Sequence, residues 1–533
     1  MTTRSGVTRR ELLRTAVATG TGLAACGPGA LGAYESSPTR GSRLVGQPNL
    51  ILFFPDEMRA DALGCHGNPV VKTPNLDRLA REGTRFANCH AQFPVCAASR
   101  CSLLTGWPTS VRGHRSLYYL LRPEDPNMFR YLRNAGYDVF WFGKNDALAP
   151  QTFQDSVTEW YDVPERGAAL RGNRPPGPTT MLLPGGGDRR STTDYELLQR
   201  ATRILERRES DRPFCIFLPL IQPHPPYRAP AGFDTLYDPA ALPPLVPPGL
   251  PGKPAFHAAM REAYGLSAVT DSQFRQIRAT YYGQVSYSDW LLGELLETLE
   301  RTGRAADTAV VVSSDHGDYA GDYGLIEKWP AGLESCLTHV PLIARIPGGA
   351  SGGICREMVE LYDIMPTLLE LAGTRTTHTH FARSLLPQLH GAAGDPERAA
   401  FSEGGYNIYE PQAFEPRLGG LYGAKTDLQN EHPETVARCA SVRSPRYTYI
   451  ARPGGQSELY DLTHDAQETH NLIDSRAHAA TREALQIRLM DWYINTTGVP
   501  PPDKDPRDTP PFYPTPTHAS DPDEIRKILD GAR

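Results

Sequence analysis

The sequence predicts an α/β fold: a large, mostly parallel sheet sandwiched by helices, then a smaller C-terminal α+β subdomain carrying a short antiparallel sheet. Three observations carry that prediction. Short, uniformly apolar runs alternate with helical patterns along the first two thirds of the chain, as expected of strands covered on both faces. Each apolar run ends on a charged or titratable group. Near the C-terminus two β-rich runs flank a Ser444-Pro445 turn, which reads as a pair of adjacent strands.

Taken in order, Asn49 to Phe54 is the first strand, ended by Pro55-Asp56-Glu57. Asp138 to Phe142 then runs into Gly143-Lys144, Phe214 to Leu218 toward Gln222-Pro223-His224, and Ala309 to Ser313 into Ser314-Asp315-His316. Helices are expected between them at Thr73 to Gly83, Asn127 to Gly136, Ser191 to Arg208 and Tyr281 to Gly303, each closing on glycine or a basic cluster. The proline-dense stretch from Gly232 to Pro254 reads as an irregular excursion over the edge of the sheet that binds ligand. Met358 to Gly373 reads as an amphipathic helix ending the large domain, and Thr374 to His380 as a flexible surface loop. A strand pair lies at Ala440 to Arg443 and Tyr447 to Ile450.

Ligands bind outside the carboxyl ends of strands in such sheets. Any one strand must end in something polar, so a single charged terminus means little. The four termini together form a chemically sensible set: carboxylates and a histidine for a cation, lysines and a histidine for an anion.

Composition narrows the partners. With 40% hydrophobic and 22% charged residues, the 533-residue chain has an ordinary globular balance and can bury a substantial core. A net charge of -6 supplies no global basic field, which argues against nucleic acid. Nine cysteines are an odd number, and no spacing resembles a zinc cluster.

One of them stands apart. Cys96-Ala97-Ala98-Ser99-Arg100 precedes a Ser102-Leu103-Leu104 run closed by Gly106 and Pro108, so Cys96 is expected near a helix N-terminus. Free N–H groups and the helix dipole favour negative charge there. Arg100, four residues on, would share its face. A buried structural cysteine is the plainer reading.

The pentapeptide resembles the signature of type I sulfatases, in the alkaline phosphatase superfamily: Cys or Ser, any residue, Pro or Ala, Ser, Arg. The resemblance implies that Cys96 is oxidised to formylglycine, whose hydrate binds a divalent cation and attacks sulfur. It further implies Asp56, Glu57, Asp315 and His316 as cation ligands beside residue 96, with calcium or magnesium suited to oxygen-rich ligands. Glu57 and His316 depart from the commoner Asp and Asn, which leaves zinc or manganese open. By the same resemblance Arg100 steadies the nucleophile, Lys144, His224 and Lys328 bind the sulfate, and His224 or Lys328 gives a proton to the departing alcohol. Where the family often has histidine, this chain has Asp146, read as recognising a sugar hydroxyl, bracing Lys144, or simply lying solvated in a loop. Glu458 to Asp465 and Glu468 to Leu472 resemble the family's closing segment, which implies a strand, a turn and entry to a final helix near Ala480 to Thr496.

At the N-terminus, Thr8-Arg9-Arg10-Glu11-Leu12-Leu13 resembles a twin-arginine signal and Leu23-Ala24-Ala25-Cys26 a lipobox, with Cys26 either acylated or lost with the signal. Export through the twin-arginine machinery would require a formylglycine-generating enzyme to act on Cys96 before translocation. The expected organisation is residues 1–47 signal and linker, 48–375 catalytic domain, 376–500 C-terminal subdomain and 501–533 tail. The expected activity is hydrolysis of a sulfate ester on a small molecule or carbohydrate, at the cell surface or beyond. A phosphonate monoester or phosphodiester hydrolase of the same superfamily is the alternative. A noncatalytic binding protein with unmodified Cys96 is a third reading.

Overall fold

A computed structural model describes residues 46–163 and 177–499; the N-terminal signal with Cys26 and the tail from residue 500 lie outside the described residues. The expected first strand, β1 (Asn49–Asp56), is the spine of the fold, and all eight of its residues are buried. Alternation along it feeds two cores. Leu50, Leu52 and Phe54 point into one, Ile51 and Phe53 into the other. Each of these side chains contributes about 2 kcal/mol by leaving water.

Seven more strands complete the large sheet: β2 (Thr84–His90), β3 (Asp138–Phe142), β4 (Glu159–Tyr161), β5 (Phe214–Pro223), β6 (Thr308–Ser313), β7 (His339–Arg345) and β8 (Gly353–Glu360). Their order is β4-β3-β5-β1-β6-β7-β2-β8. The five strands from β4 to β6 are parallel, β7 runs against both neighbours, and β8 is parallel to β2. The carboxyl ends of β3, β5, β1 and β6 therefore stand side by side on one rim.

Helices cover both faces. On one lie α1 (Pro74–Glu82), with α4 (Thr193–Arg207) and α5 (Asp271–Arg301); on the other lie α2 (Cys96–Thr105), α3 (Met128–Asn134) and α6 (Ile364–Leu371). The smaller sheet, β12-β11-β10-β9, is antiparallel: β9 (Ala400–Gly404), β10 (Cys439–Arg443), β11 (Tyr447–Ala451) and β12 (Glu458–Asp461). It docks on the large sheet through β9, where the Glu403 N–H donates to the Gln92 carbonyl at 2.8 Å. Two helices accompany it, α7 (Gly423–Glu431) and α8 (Ala479–Thr496).

The structure corrects four local expectations. The long helix starts at Asp271, ten residues before Tyr281, because Thr270 and Gln273 form a reciprocal capping box. Met358, Val359 and Glu360 belong to β8, paired with Asn88, Cys89 and His90 of β2, so the helix begins only at Ile364. The Gly232 to Pro254 stretch packs toward α5 and the Asp322 turn, with the Val246 N–H donating to Asp322 at 3.0 Å, and none of it lines the cavity at Cys96. Thr374 to His380 is pinned by the Trp107 indole on the Thr379 carbonyl at 2.7 Å and by His378 on the Thr105 carbonyl at 2.8 Å.

Among the described residues no cysteine is paired, and no helix is long and apolar enough to cross a membrane.

Candidate active site

Cys96 is the first residue of α2, whose whole length is buried, and no side chain caps its N-terminus. Gly106 ends the helix at φ 68°, a left-handed turn where a Cβ would also strike Met365. The helix start is thereby aimed at the sheet rim. The Cys96 sulfur lies 3.6 Å from Asp56 Oδ1, 3.2 Å from His316 Nε2 and 3.4 Å from Lys144 Nζ. Burial, reinforced by Asp56, pushes the Cys96 thiol well above its ordinary range, so as cysteine it stays protonated.

The rim delivers these partners as the strand ends dictate. Asp56 ends β1, and Asp315 and His316 follow β6. Lys144 follows β3 through Gly143, whose φ of 142° and contact with the Pro219 carbonyl leave no room for a side chain. His224 follows β5. Arg100, one turn along α2, donates from Nε to Asp315 at 2.8 Å and from Nη1 to the Lys144 carbonyl at 3.3 Å, and its Nη2 lies 3.5 Å from Asp56. Burial alone would raise Asp315, but Arg100, His316 and Lys144 hold its carboxyl far below the usual range.

Both histidines have defined roles. His316 Nδ1 lies 2.9 Å from the Gly317 carbonyl and His224 Nδ1 2.5 Å from the Pro225 carbonyl. A carbonyl only accepts, so each Nδ1 carries the proton. When the ring is neutral, each Nε2 presents a lone pair to the site. His224 Nε2 faces Lys328 Nζ and Glu57, both at 3.0 Å.

Glu57 joins the remaining groups. Its carboxylate accepts from Lys328, and although burial opposes the charge, His224 and Lys328 hold it well below the usual range. Behind it Asp318 keeps its proton, raised first by burial and then by Glu57 itself. Asp146 sits 2.8 Å from Lys144, which pulls its carboxyl down against burial. All ten residues expected from the sequence thus meet at one cavity floor.

The donor set suits a cation. Ligand atoms of Asp56, Cys96, Asp315 and His316 all lie within 4.8 Å of one another, and so do those of Asp56, Glu57, Cys96 and His224. Carboxylate oxygens around a residue that would offer an oxygen after oxidation favour a hard divalent ion, with His316 adding one softer donor.

Above the floor opens a cavity of about 430 Å³ whose outer wall the sequence did not reveal: Leu117, Tyr118, Asp162, Glu415, Tyr422 and Lys425, among others. These come from loops and from α7, where no strand-end rule applies. Glu327 alone had a signal, its place next to Lys328.

Comparison with known proteins agrees with this geometry. The Sulfatase family model matches residues 48–374. A multifunctional alkaline phosphatase superfamily protein, PehA of Trinickia caryophylli, is 28% identical over 84% of this chain and 95% of its own. An ulvan-active sulfatase of Formosa agariphila is 24% identical over 86% and 82%. The crystal structure of a phosphonate monoester hydrolase of Agrobacterium radiobacter superposes with a TM-score of 0.68 at 24% identity, covering 84% of this chain and 96% of that one. With the model spanning the whole rim from β1 past α6, the chain belongs to the sulfatase family and is a sulfuric ester hydrolase.

Proposed function

We propose that this enzyme hydrolyses a sulfate ester carried by a carbohydrate, using formylglycine made from Cys96 and a divalent cation, calcium or magnesium. The observation that carries the reading is the approach of Asp56, Lys144 and His316 to within 3.6 Å of the Cys96 sulfur at a buried helix start. When present, the hydrated aldehyde supplies a nucleophilic oxygen and the cation supplies positive charge beside it.

The chain's own groups do the rest. Arg100 fixes Asp315 and Asp56, keeping the cation cradle oriented. Lys144, Lys328 and, when its ring is protonated, His224 surround the place of the sulfuryl oxygens, where pre-oriented donors stabilise charge as it shifts to the leaving oxygen. Lys328 Nζ keeps its proton, since Cys96, then Glu57 and Glu327, outweigh its burial, and it is placed to pass that proton to the departing alcohol. The ulvan-active relative supports a carbohydrate substrate.

The fold likeness to the phosphonate monoester hydrolase of Agrobacterium radiobacter fits one further reading, hydrolysis of phosphonate monoesters or phosphodiesters at the same floor. The lysine pair, Lys144 and Lys328, favours sulfate. Relative kcat/KM on aryl sulfates, aryl phosphonates and a panel of sulfated sugars decides: a preference for sulfate is expected, and a preference for phosphonate overturns the assignment. We also propose export by the twin-arginine route, supported by Arg9 and Arg10, with or without acylation at Cys26. Retention in the cytoplasm on replacing both arginines with lysine would support it, and unchanged export would reject it.

A further inference from the structure

Lys328 is one member of a buried ladder of alternating charge that continues into the C-terminal part of the chain. On one side it meets Glu57; on the other its Nζ lies 3.3 Å from Glu327 Oε1. The same Glu327 oxygen accepts from Lys425 Nζ at 2.9 Å, across 98 residues of sequence. Lys425 in turn lies 3.2 Å from Glu415, which Gln429 holds at 3.0 Å. Glu327 and Lys425 are both 1% exposed or less.

Glu327 is held there against backbone preference. Its φ of 60° is left-handed for a non-glycine residue, and it persists with its N–H donating to the Tyr227 hydroxyl at 2.8 Å and its Oε2 accepting from Tyr264 at 3.3 Å. A buried carboxylate beside a catalytic ammonium would draw that ammonium away from the cavity unless a second cation shared it. Lys425 is that second cation. Its own charge is secured in turn, because Glu327 and Glu415 outweigh the burial that would neutralise it.

We propose that Lys425 is a positioning residue for Lys328, acting through Glu327, and that α7 thereby completes the proton-donating side of the site. This rests on the function proposed above. In the step concerned, the oxygen nucleophile proposed at residue 96 would form a bond to sulfur as the S–O bond to the alcohol breaks, its electron pair going to the alcohol oxygen. That oxygen takes the proton from Lys328 Nζ, leaving a neutral amine that solvent reprotonates.

A leaving-group series separates positioning from a merely structural role. With 4-nitrophenyl, 3-chlorophenyl and phenyl sulfate, the Lys425→Met enzyme should lose less than about threefold in kcat on the nitrophenyl ester, whose leaving group needs no proton, and about 30-fold or more on the phenyl ester. Lys425→Arg should restore much of the loss. Glu327→Gln, which keeps the side-chain volume but leaves the Lys328 and Lys425 ammonium groups to repel each other with no carboxylate between them, should show the same selective loss and carries the test if Lys425→Met does not fold. A loss uniform across the series in either variant, or no loss, overturns the proposal while leaving the assigned function intact. Wild-type enzyme inert on every sulfate and phosphonate ester would overturn both.

Discussion

The cavity floor takes its chemistry from the carboxyl ends of four adjacent parallel strands, whereas the outer wall is assembled from loops and a helix far apart in sequence. Floor side chains are packed and doubly held: Asp56, Asp315 and His316 are fully buried, and Arg100 ties two of them together. Parts of the wall are looser, Tyr118 being 54% exposed, although Lys425 and Glu415 at its inner side are buried. Groups that must meet a reacting atom stand on rigid strands and a buried helix, while groups that meet the rest of the substrate ride on segments free to vary.

The largest expected effect is at the floor's centre. Cys96→Ala should lower kcat/KM by about 10⁴-fold or more while leaving the thermal midpoint within a few degrees of wild type. Activity surviving that change would dissolve the division between floor and wall. Lys328→Met should cost about 10²- to 10³-fold, most on poor leaving groups.

Asp146 stands where floor meets wall and sharpens the comparison. Its 2.8 Å pairing with Lys144 supports the bracing reading, under which Asp146→Asn should lower kcat/KM about tenfold on every substrate alike. A loss confined to certain sugars would move Asp146 to the wall. Wall residues should behave oppositely: Tyr118→Ala is expected to shift selectivity between bulky and small esters by up to about tenfold, with little change in kcat on the smallest aryl sulfate.

Smallest per group is the effect of acid on the frame itself. His90 stacks on His339 at 5.1 Å and His66 meets it edge-on at 6.0 Å. Burial lowers all three, His66 to about 3. Their folded values lie below the unfolded value, so the unfolded chain binds more protons in acid. The stability they allow is present above the unfolded value and is lost as pH falls through the window beneath it. Urea unfolding from pH 7 to pH 5 should lose about 1 kcal/mol per pH unit through His66, with His90 and His339 adding loss of the same sign, and His66→Gln should remove the His66 share. An unchanged slope would contradict this burial, and the slope bounds the pH range in which floor and wall variants can be compared.

The floor was legible because its logic is local. A buried apolar run must end, and the residues just past its end land on the rim, so Asp56, Lys144, His224 and Asp315 could be placed from a few residues each. The helix at Cys96 was legible for the same reason, with Gly106 as its stop. Strands β2, β7 and β8 were not, since their partly polar sequences become strands only through pairing with one another. Lys425 and Glu415 were hidden for a stronger reason. Nothing near them in sequence states that α7 folds back over Lys328, and only tertiary packing brings a cation to a glutamate 98 residues away.

The most direct test of the central claim is the mass of the peptide containing residue 96, taken from active enzyme made in its native host. The account expects the thiol-bearing side chain to have been replaced by the lighter aldehyde. An unaltered cysteine in fully active enzyme would contradict it.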